Sequence, residues 1–143
     1  MLRRATAADV GPIADLFRRS YGTLTFLPTL HTPEEDRAHF ERVVATQEVW
    51  VAEEDGRVVG FTALDGDVGT FLYVDPDAQS HGVGSALFEQ VTRVRPHGFR
   101  FWAFQRNERA RCFYERRGCT AVEFTDGSGN EEREPDVLYE WKP

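Results

Sequence analysis

Residues 79–85 are the part of this chain best suited to bind an anion. They read Gln-Ser-His-Gly-Val-Gly-Ser, and glycines let a backbone approach a ligand closely and turn several N–H groups in one direction. An apolar, β-favouring run at residues 71–74 precedes them, and helical periodicity begins near Val83. Because a helix N-terminus has free N–H donors and the positive end of the dipole, we expect a site there for a phosphate-type anion.

Taken alone, the two glycines also fit a tight turn that needs them only for its backbone angles. The stretch is not a Walker loop, because no Gly-Lys-Ser/Thr follows it. It is not the dinucleotide-binding fingerprint either, because Leu87 stands at the third glycine position. A turn and an anion site are therefore both open interpretations of this loop by itself.

A second pattern begins at Asn107 and reads Asn-x-x-Ala-x-x-Phe-Tyr-x-x-x-Gly. Asparagine is a favoured N-cap, and Tyr114 lies seven residues, or about two helical turns, further along, on the face that also carries Ala110. Taken alone, the pattern is explained more simply by a capping asparagine and an aromatic side chain in the core.

Together, the two patterns resemble those of the GNAT N-acetyltransferase superfamily. That family has Gln/Arg-x-x-Gly-x-Gly/Ala in its coenzyme A pyrophosphate loop, which Gln79, Gly82 and Gly84 match, and the second pattern on the following helix. The resemblance covers nearly the whole chain. It implies a single domain over residues 1–143 with the α/β GNAT (acyl-CoA N-acyltransferase) fold. That fold has a mixed six- to seven-stranded sheet, splayed at the centre, with about four flanking helices.

The resemblance also implies the chemistry, which is direct transfer of an acetyl group from acetyl-CoA to a primary amine in a ternary complex. Tyr114 would protonate the departing CoA thiolate, and Asn107 would bond the pantetheine arm or hold the start of its helix. Backbone donors near Leu72 and Val74 would polarise the thioester carbonyl. The implied CoA-binding residues are Leu72, Tyr73, Val74, Gln79, Ser80, His81, Gly82, Val83, Gly84, Ser85, Asn107, Ala110, Phe113 and Tyr114.

The acceptor side is less defined, because residues 70–74 and 99–104 contain no carboxylate, whereas the family often has a glutamate on its central strands. Segments 28–36 and 126–136 would overhang the acceptor mouth. Their acidic residues could attract a cationic amine or could serve only as caps and turns, and the run 130–134 is expected to be a solvated turn. The acceptor-site candidates are His31, Glu34, Glu35 and Asp136.

Periodicity and turn signals predict the elements that position these residues. Capping boxes at Thr6 and Thr32 predict two helices, the first ending near Gly22, and Asp55-Gly56 predicts a hairpin inside an antiparallel meander. A helix from Gly82 should connect residues 71–74 to a parallel strand at 99–104, and a helix is predicted at 107–117. The other strands are predicted at residues 2–5, 48–53, 57–64, 121–124 and 137–141.

Composition limits the alternatives. The 143 residues are 41% hydrophobic and 29% charged, with a net charge of −7, which argues against a nucleic-acid partner and suits a cationic substrate. No membrane span or signal peptide is predicted, so we expect a cytoplasmic protein with two free thiols and no metal. Free strand edges near the C-terminus allow a homodimer. A non-catalytic acyl-CoA sensor, a protein N-acetyltransferase and an unrelated nucleotide-binding domain stay open.

Overall fold

A computed structural model describes residues 1–79 and 81–143, which form one mixed sheet with helices on both faces. The strands are β1 (Leu2–Arg4), β2 (Glu48–Glu54), β3 (Arg57–Asp65), β4 (Val68–Val74), β5 (Phe99–Phe104), β6 (Thr120–Phe124) and β7 (Asp136–Trp141). The helices are α1 (Val10–Tyr21), α2 (Pro33–Thr46), α3 (Val83–Val94) and α4 (Glu108–Glu115), with 3-10 turns at Ala7–Asp9 and Pro76–Ala78. The strand order is β1-β2-β3-β4-β5-β7-β6. The fold expected from the sequence is confirmed.

Local hydrogen bonds explain where the helices begin and end. The Glu35 N–H donates to the Thr32 hydroxyl over 3.1 Å, and the Thr32 N–H donates to the Glu35 carboxylate over 2.9 Å, so the predicted capping box is confirmed. Helix α4 is shorter than predicted. The N–H groups of Gly118 and Cys119 bond to carbonyls of α4, and this closing turn replaces the last helical residues.

The sheet opens between β4 and β5. Strands β1 to β4 form an antiparallel meander, and β5, β7 and β6 form a second antiparallel group. The two groups join in parallel only where Val68 pairs with Arg100 and Gly69 pairs with Phe101. Beyond those pairs β4 and β5 diverge, which confirms the splayed centre.

Alternating side chains of β4 pack on opposite faces of the sheet. Phe71 and Tyr73 join the cluster of α1 and α2, whose largest buried members include Phe40 and Phe61. Leu72 and Val74 pack against α3, next to Leu87. Phe40 and Phe61, which are fully buried, each contribute on the order of 1.5–3 kcal/mol to folding. Strand β4 is therefore packed on both of its faces beside the gap.

No helix within residues 1–79 and 81–143 is long and apolar enough to cross a membrane. In the same ranges, no group of three or more His, Cys, Asp or Glu residues is placed to hold a metal ion. Cys112 is exposed and Cys119 is buried, and neither is in a disulfide.

Candidate active site

The loop between β4 and α3 exposes backbone donors at a helix start. Gly82 caps α3 in the left-handed conformation, with φ = +76°, and no side chain caps this helix. The N–H groups of Val83, Gly84 and Ser85 donate to no acceptor in the described part of the chain. Three N–H groups at the positive end of a helix dipole can bind an anion such as a diphosphate.

Side chains from α4 and the turn after it surround this loop. A Cβ at Gly84 would stand 3.3 Å from the Phe113 ring, so glycine allows the two helices to approach closely. The Arg109 guanidinium donates to the Gln79 side chain over 2.5 Å, and that of Arg117 donates to the Ser85 hydroxyl. Two cationic side chains therefore stand beside the free N–H groups.

His81 and Ser80 are the two other residues of this loop that were predicted to bind CoA. The His81 ring lies 3.2 Å from the Glu54 carboxylate and is more than half exposed. Ser80, which was also predicted to bind CoA, lies outside the described residues.

The gap between β4 and β5 presents more backbone donors. The Asp75 N–H bonds to the Val59 carbonyl over 2.8 Å, which sets the phase of the antiparallel ladder between β3 and β4. Since hydrogen-bonded and non-hydrogen-bonded pairs alternate in such a ladder, the N–H groups of Leu72 and Val74 point away from β3 and into the gap. A cavity of about 120 Å³ occupies this gap, and we name it the gap cavity.

Tyr114 lies in the wall of the gap cavity. Its ring centroid is 4.3 Å from that of Phe101 and 5.4 Å from that of Phe113, so aromatic packing fixes its position. Its hydroxyl makes no hydrogen bond with the described residues. Burial raises the pKa of Tyr114 well above the ordinary 10.0, with smaller contributions from Cys119 and Tyr139. The phenol therefore stays protonated at neutral pH and can act as an acid.

Asn107 and Ala110 line the same cavity. The Asn107 side-chain oxygen accepts the Ala110 N–H over 3.2 Å, which is the N-cap of α4. The amide nitrogen of Asn107 has no partner among the described residues. The same side chain can therefore cap the helix with its oxygen and donate to a ligand with its nitrogen. The Cys119 thiol packs nearby, and burial raises its pKa to about 12, so it stays protonated.

A second cavity, of about 590 Å³, lies between α1, α2 and the loop after β6. We name it the side cavity. Phe71 lines both cavities, so they are neighbours across one side chain. Besides Phe71, the polar and aromatic residues in its lining are Phe17, Arg18, Tyr21, Thr29, His31, Glu35, Asp36, His39, Phe40, Arg42, Glu131 and Glu132.

The structure places two of the four acceptor-site candidates in the lining of the side cavity. His31 and Glu35 line the side cavity, whereas neither Glu34 nor Asp136 is in its lining. The His31 ring nitrogen lies 2.6 Å from the Glu131 carboxylate, and the Glu35 carboxylate serves its helix cap. Glu34 is exposed. The roles predicted for these residues stay predictions.

The Asp136 carboxylate is 9% exposed and takes part in building the loop after β6. It accepts the Thr125 hydroxyl and, over 3.1 Å, the Asn130 side-chain amide. The expectation that residues 130–134 form a solvated turn is wrong for Glu134, which is 7% exposed and pairs with Arg106 over 2.7 Å. The ion pair with a neighbouring segment draws this carboxylate inward.

Sequence reasoning did not single out Tyr21, His39, Glu131 or Glu132. Burial, followed by the charges of Glu132, Glu131 and Asp36, raises the pKa of Tyr21 to about 12. Burial lowers the pKa of His39, so its imidazole is neutral at pH 7. The acidic composition of segment 126–136 was the only available signal, and it does not tell which carboxylate faces a cavity.

Comparisons with known proteins concern the family and the fold. A family model described as an Acetyltransferase (GNAT) domain matches residues 45–118. Peptidyl-lysine N-acetyltransferase YiaC of Escherichia coli is 33% identical over 81 residues, 56% of this chain and 55% of that protein, so the match spans about half the length of that relative. Peptidyl-lysine N-acetyltransferase YjaB of Salmonella typhimurium is 29% identical over 123 residues, 82% of this chain and 81% of that protein.

A solved structure extends the likeness to the whole fold. The crystal structure of a GCN5-related N-acetyltransferase from Rhodopseudomonas palustris superposes with a TM-score of 0.85 at 24% identity, covering 100% of this chain and 95% of that one. At this identity the likeness concerns the fold.

Proposed function

The chain belongs to the GNAT acetyltransferase family, and from that premise we propose that it transfers the acetyl group of acetyl-CoA to a primary amine. Acetyl-CoA supplies an activated acetyl thioester. The residues of this chain bind it and donate a proton to the departing thiolate. The observation that carries the proposal is the gap cavity at the open edge of β4, with Tyr114 in its wall, in a chain whose α3 begins with N–H groups that have no acceptor among the described residues.

The described residues fit the CoA part of this proposal. The N–H groups of Val83, Gly84 and Ser85 suit the diphosphate, and the open edge of β4 suits the pantetheine arm. The Leu72 and Val74 N–H groups point into the gap, where they would donate to the thioester oxygen as negative charge develops on it, and such fixed donors stabilise that charge strongly. A Cβ at Gly84 would stand 3.3 Å from the Phe113 ring, so a side chain there would require the ring to shift.

Tyr114 and Asn107 take distinct roles in this proposal. The raised pKa of Tyr114 keeps its phenol protonated, so that it can give its proton to the departing thiolate. Asn107 caps α4, and its amide nitrogen would donate to the pantetheine arm. Transfer is direct within a ternary complex, without a covalent enzyme intermediate, and Cys112 has no part in it because it is not in the lining of the gap cavity.

For the acceptor we propose a small-molecule amine, in a protein that works in the cytoplasm. The net charge of −7 and the carboxylates of the side cavity favour a cation. A protein lysine is the second candidate, because YiaC and YjaB are named as peptidyl-lysine N-acetyltransferases.

Two measurements test the proposal. Calorimetry should detect binding of CoA and acetyl-CoA, and a thiol assay should detect CoASH release that depends on an added amine. A protein that ignores CoA at millimolar concentration contradicts the proposal as a whole. A protein that binds acetyl-CoA but releases no thiol with any small amine or lysine peptide is an acyl-CoA sensor. Stabilisation by ATP or NAD in place of CoA would indicate an unrelated nucleotide-binding domain.

A further inference from the structure

Glu132 differs from the other carboxylates around the side cavity. It is partly buried and lines the cavity, yet it makes no hydrogen bond or ion pair with the described residues. By contrast, Glu131 pairs with His31 over 2.6 Å, and Asp36 pairs with Arg18 over 2.7 Å. A partly desolvated carboxylate without a partner favours a cation that brings its own hydrogen-bond donors.

The shape and lining of the side cavity indicate what such a cation would carry. Its volume of about 590 Å³ suits a compact organic molecule. Phe17, Tyr21, Phe40 and Phe71 contribute aromatic surface to the wall, which suits an apolar body and also attracts cations. Because Phe71 borders the gap cavity as well, a molecule held here lies next to the expected thioester position.

Two sets of contacts join the chain between α1 and α2 to the loop after β6. His31, in the segment before α2, reaches Glu131 in the loop after β6 over 2.6 Å. The Arg106 guanidinium lies 4.7 Å from the centre of the Phe26 ring and pairs with Glu134 over 2.7 Å. The first contact is direct and the second runs through Arg106, and together they favour a compact acceptor over an extended peptide.

We propose that the side cavity is the acceptor pocket for a compact primary amine with an apolar body, and that Glu132 binds its ammonium group. This proposal rests on the acetyltransferase function proposed above and adds the substrate class and the residue that determines it. Glu132 is a specificity-determining residue that binds the protonated amine. The bound ammonium group must release one proton to solvent water before its neutral nitrogen attacks the thioester, and no role in that proton removal is assigned to Glu132.

The electrostatics of two tyrosines support this arrangement. The charge of Glu132 contributes, after burial, to the raised pKa of Tyr21 in the side cavity. It also contributes, after burial and Tyr114, to the raised pKa of Tyr73, which lines the gap cavity. The field of this one carboxylate therefore extends to both cavities.

The test compares Glu132→Gln with the unaltered chain in the thiol assay, using 2-phenylethylamine, propylamine and 1,4-diaminobutane with acetyl-CoA. Glutamine keeps the shape and removes the charge, so we expect the KM for 2-phenylethylamine to rise about tenfold, the effect of losing a charge-assisted hydrogen bond. The kcat and the calorimetric Kd for acetyl-CoA should stay within about twofold, because Glu132 lies away from the CoA groups.

Glu41→Gln is the matched control. Glu41 is an exposed carboxylate on α2 without a partner among the described residues and outside the lining of the side cavity. Glu41→Gln removes one negative charge, as Glu132→Gln does, but outside the side cavity, so we expect unchanged KM values. A rise in KM for both variants would mean that net charge matters and not the position of Glu132, which would overturn the proposal.

The remaining outcomes separate this proposal from the proposed function. If the unaltered chain does not bind acetyl-CoA, the proposed function fails and this inference fails with it. If amines are acetylated but Glu132→Gln has an unchanged KM, only the role of Glu132 is overturned. If acetyl-CoA binds and none of the three amines is acetylated, or if a lysine hexapeptide is preferred by kcat/KM, the compact acceptor is overturned while CoA binding stands.

Discussion

Two regions of this molecule differ in the groups that they present: the donor side, where CoA is expected to bind, and the acceptor side, which is the side cavity. On the donor side, the groups that face the expected ligand are mostly backbone N–H groups, at the start of α3 and on the open edge of β4. On the acceptor side they are side chains from α1, α2 and a loop after β6, many of them already paired with each other.

The two sides therefore differ in how amino-acid substitutions affect them. Backbone donors are held by helix and sheet geometry, so most side chains can vary without altering them. An acceptor pocket made of loop side chains changes its chemistry with each substitution, which suits a fold that serves many substrates. Four predictions test this contrast, in addition to that for Glu132.

The largest expected effect follows from one side chain on the donor side. Tyr114→Phe keeps the ring that packs on Phe101 and removes the proton, so kcat should fall by roughly 100-fold, as for loss of a general acid, with unchanged affinity for CoA. Because burial raises the pKa of Tyr114, the acid form persists as pH rises, and the unaltered chain should keep its kcat from pH 7 to 9. Steady-state thiol release at several pH values measures both. An unchanged kcat would mean that the Tyr114 hydroxyl has no catalytic role and that the donor side works through its backbone N–H groups alone.

A second prediction uses two glycines with the same backbone conformation. Gly82 has φ = +76° and Gly56 has φ = +77°, and neither has an atom within 4 Å of a built Cβ. Alanine at either position should lower the free energy of unfolding by about 1 kcal/mol through left-handed strain. Only Gly82→Ala should also weaken CoA binding, about tenfold, because it displaces the donors at the start of α3. Calorimetry and thermal unfolding separate these effects, and equal Kd values would contradict an anion site here.

Asn107 allows the cap and the ligand contact to be separated. Asn107→Asp keeps an oxygen for the Ala110 N–H and removes the amide donor, so stability should be maintained while CoA affinity falls about threefold to tenfold, the worth of one hydrogen bond. Asn107→Ala removes both the cap and the amide donor, so it should weaken CoA binding and also lower the free energy of unfolding by about 1 kcal/mol. If Asn107→Asp binds CoA normally, the side chain is only a cap.

The smallest effect is expected from the cross-link over the acceptor side. His31 and Glu131 have 42% and 59% of their side-chain surface exposed, and pairs this accessible contribute at most about 1 kcal/mol. His31→Ala and Glu131→Gln should therefore barely change the melting temperature, and a double-mutant cycle should give a small coupling that fades with salt. Either variant should improve kcat/KM for bulkier amines relative to propylamine. An unchanged ratio would mean that the cross-link does not limit access.

Much of the fold could be predicted because the signals were local. The capping box at Thr32, the hairpin at Asp55-Gly56 and the periodicity from Val83 each depend on residues a few positions apart, and all three elements form as expected. The end of α4 was less predictable, because a closing turn at Gly118 competes with the last helical hydrogen bonds.

The amino-acid sequence by itself determined the elements, their order and the glycine loop at the start of α3, because hydrogen bonding within a helix or turn depends on near neighbours. Only the tertiary structure decided which carboxylates are paired, and which carboxylate in the lining of the side cavity has no partner among the described residues. Asp136, Glu134 and Glu132 are close in sequence and chemically alike, yet contacts with Asn130 and Arg106 occupy the first two and leave the third. The pairing of Glu134 depends on Arg106, which lies 28 residues away in the chain, and no local pattern records such a contact.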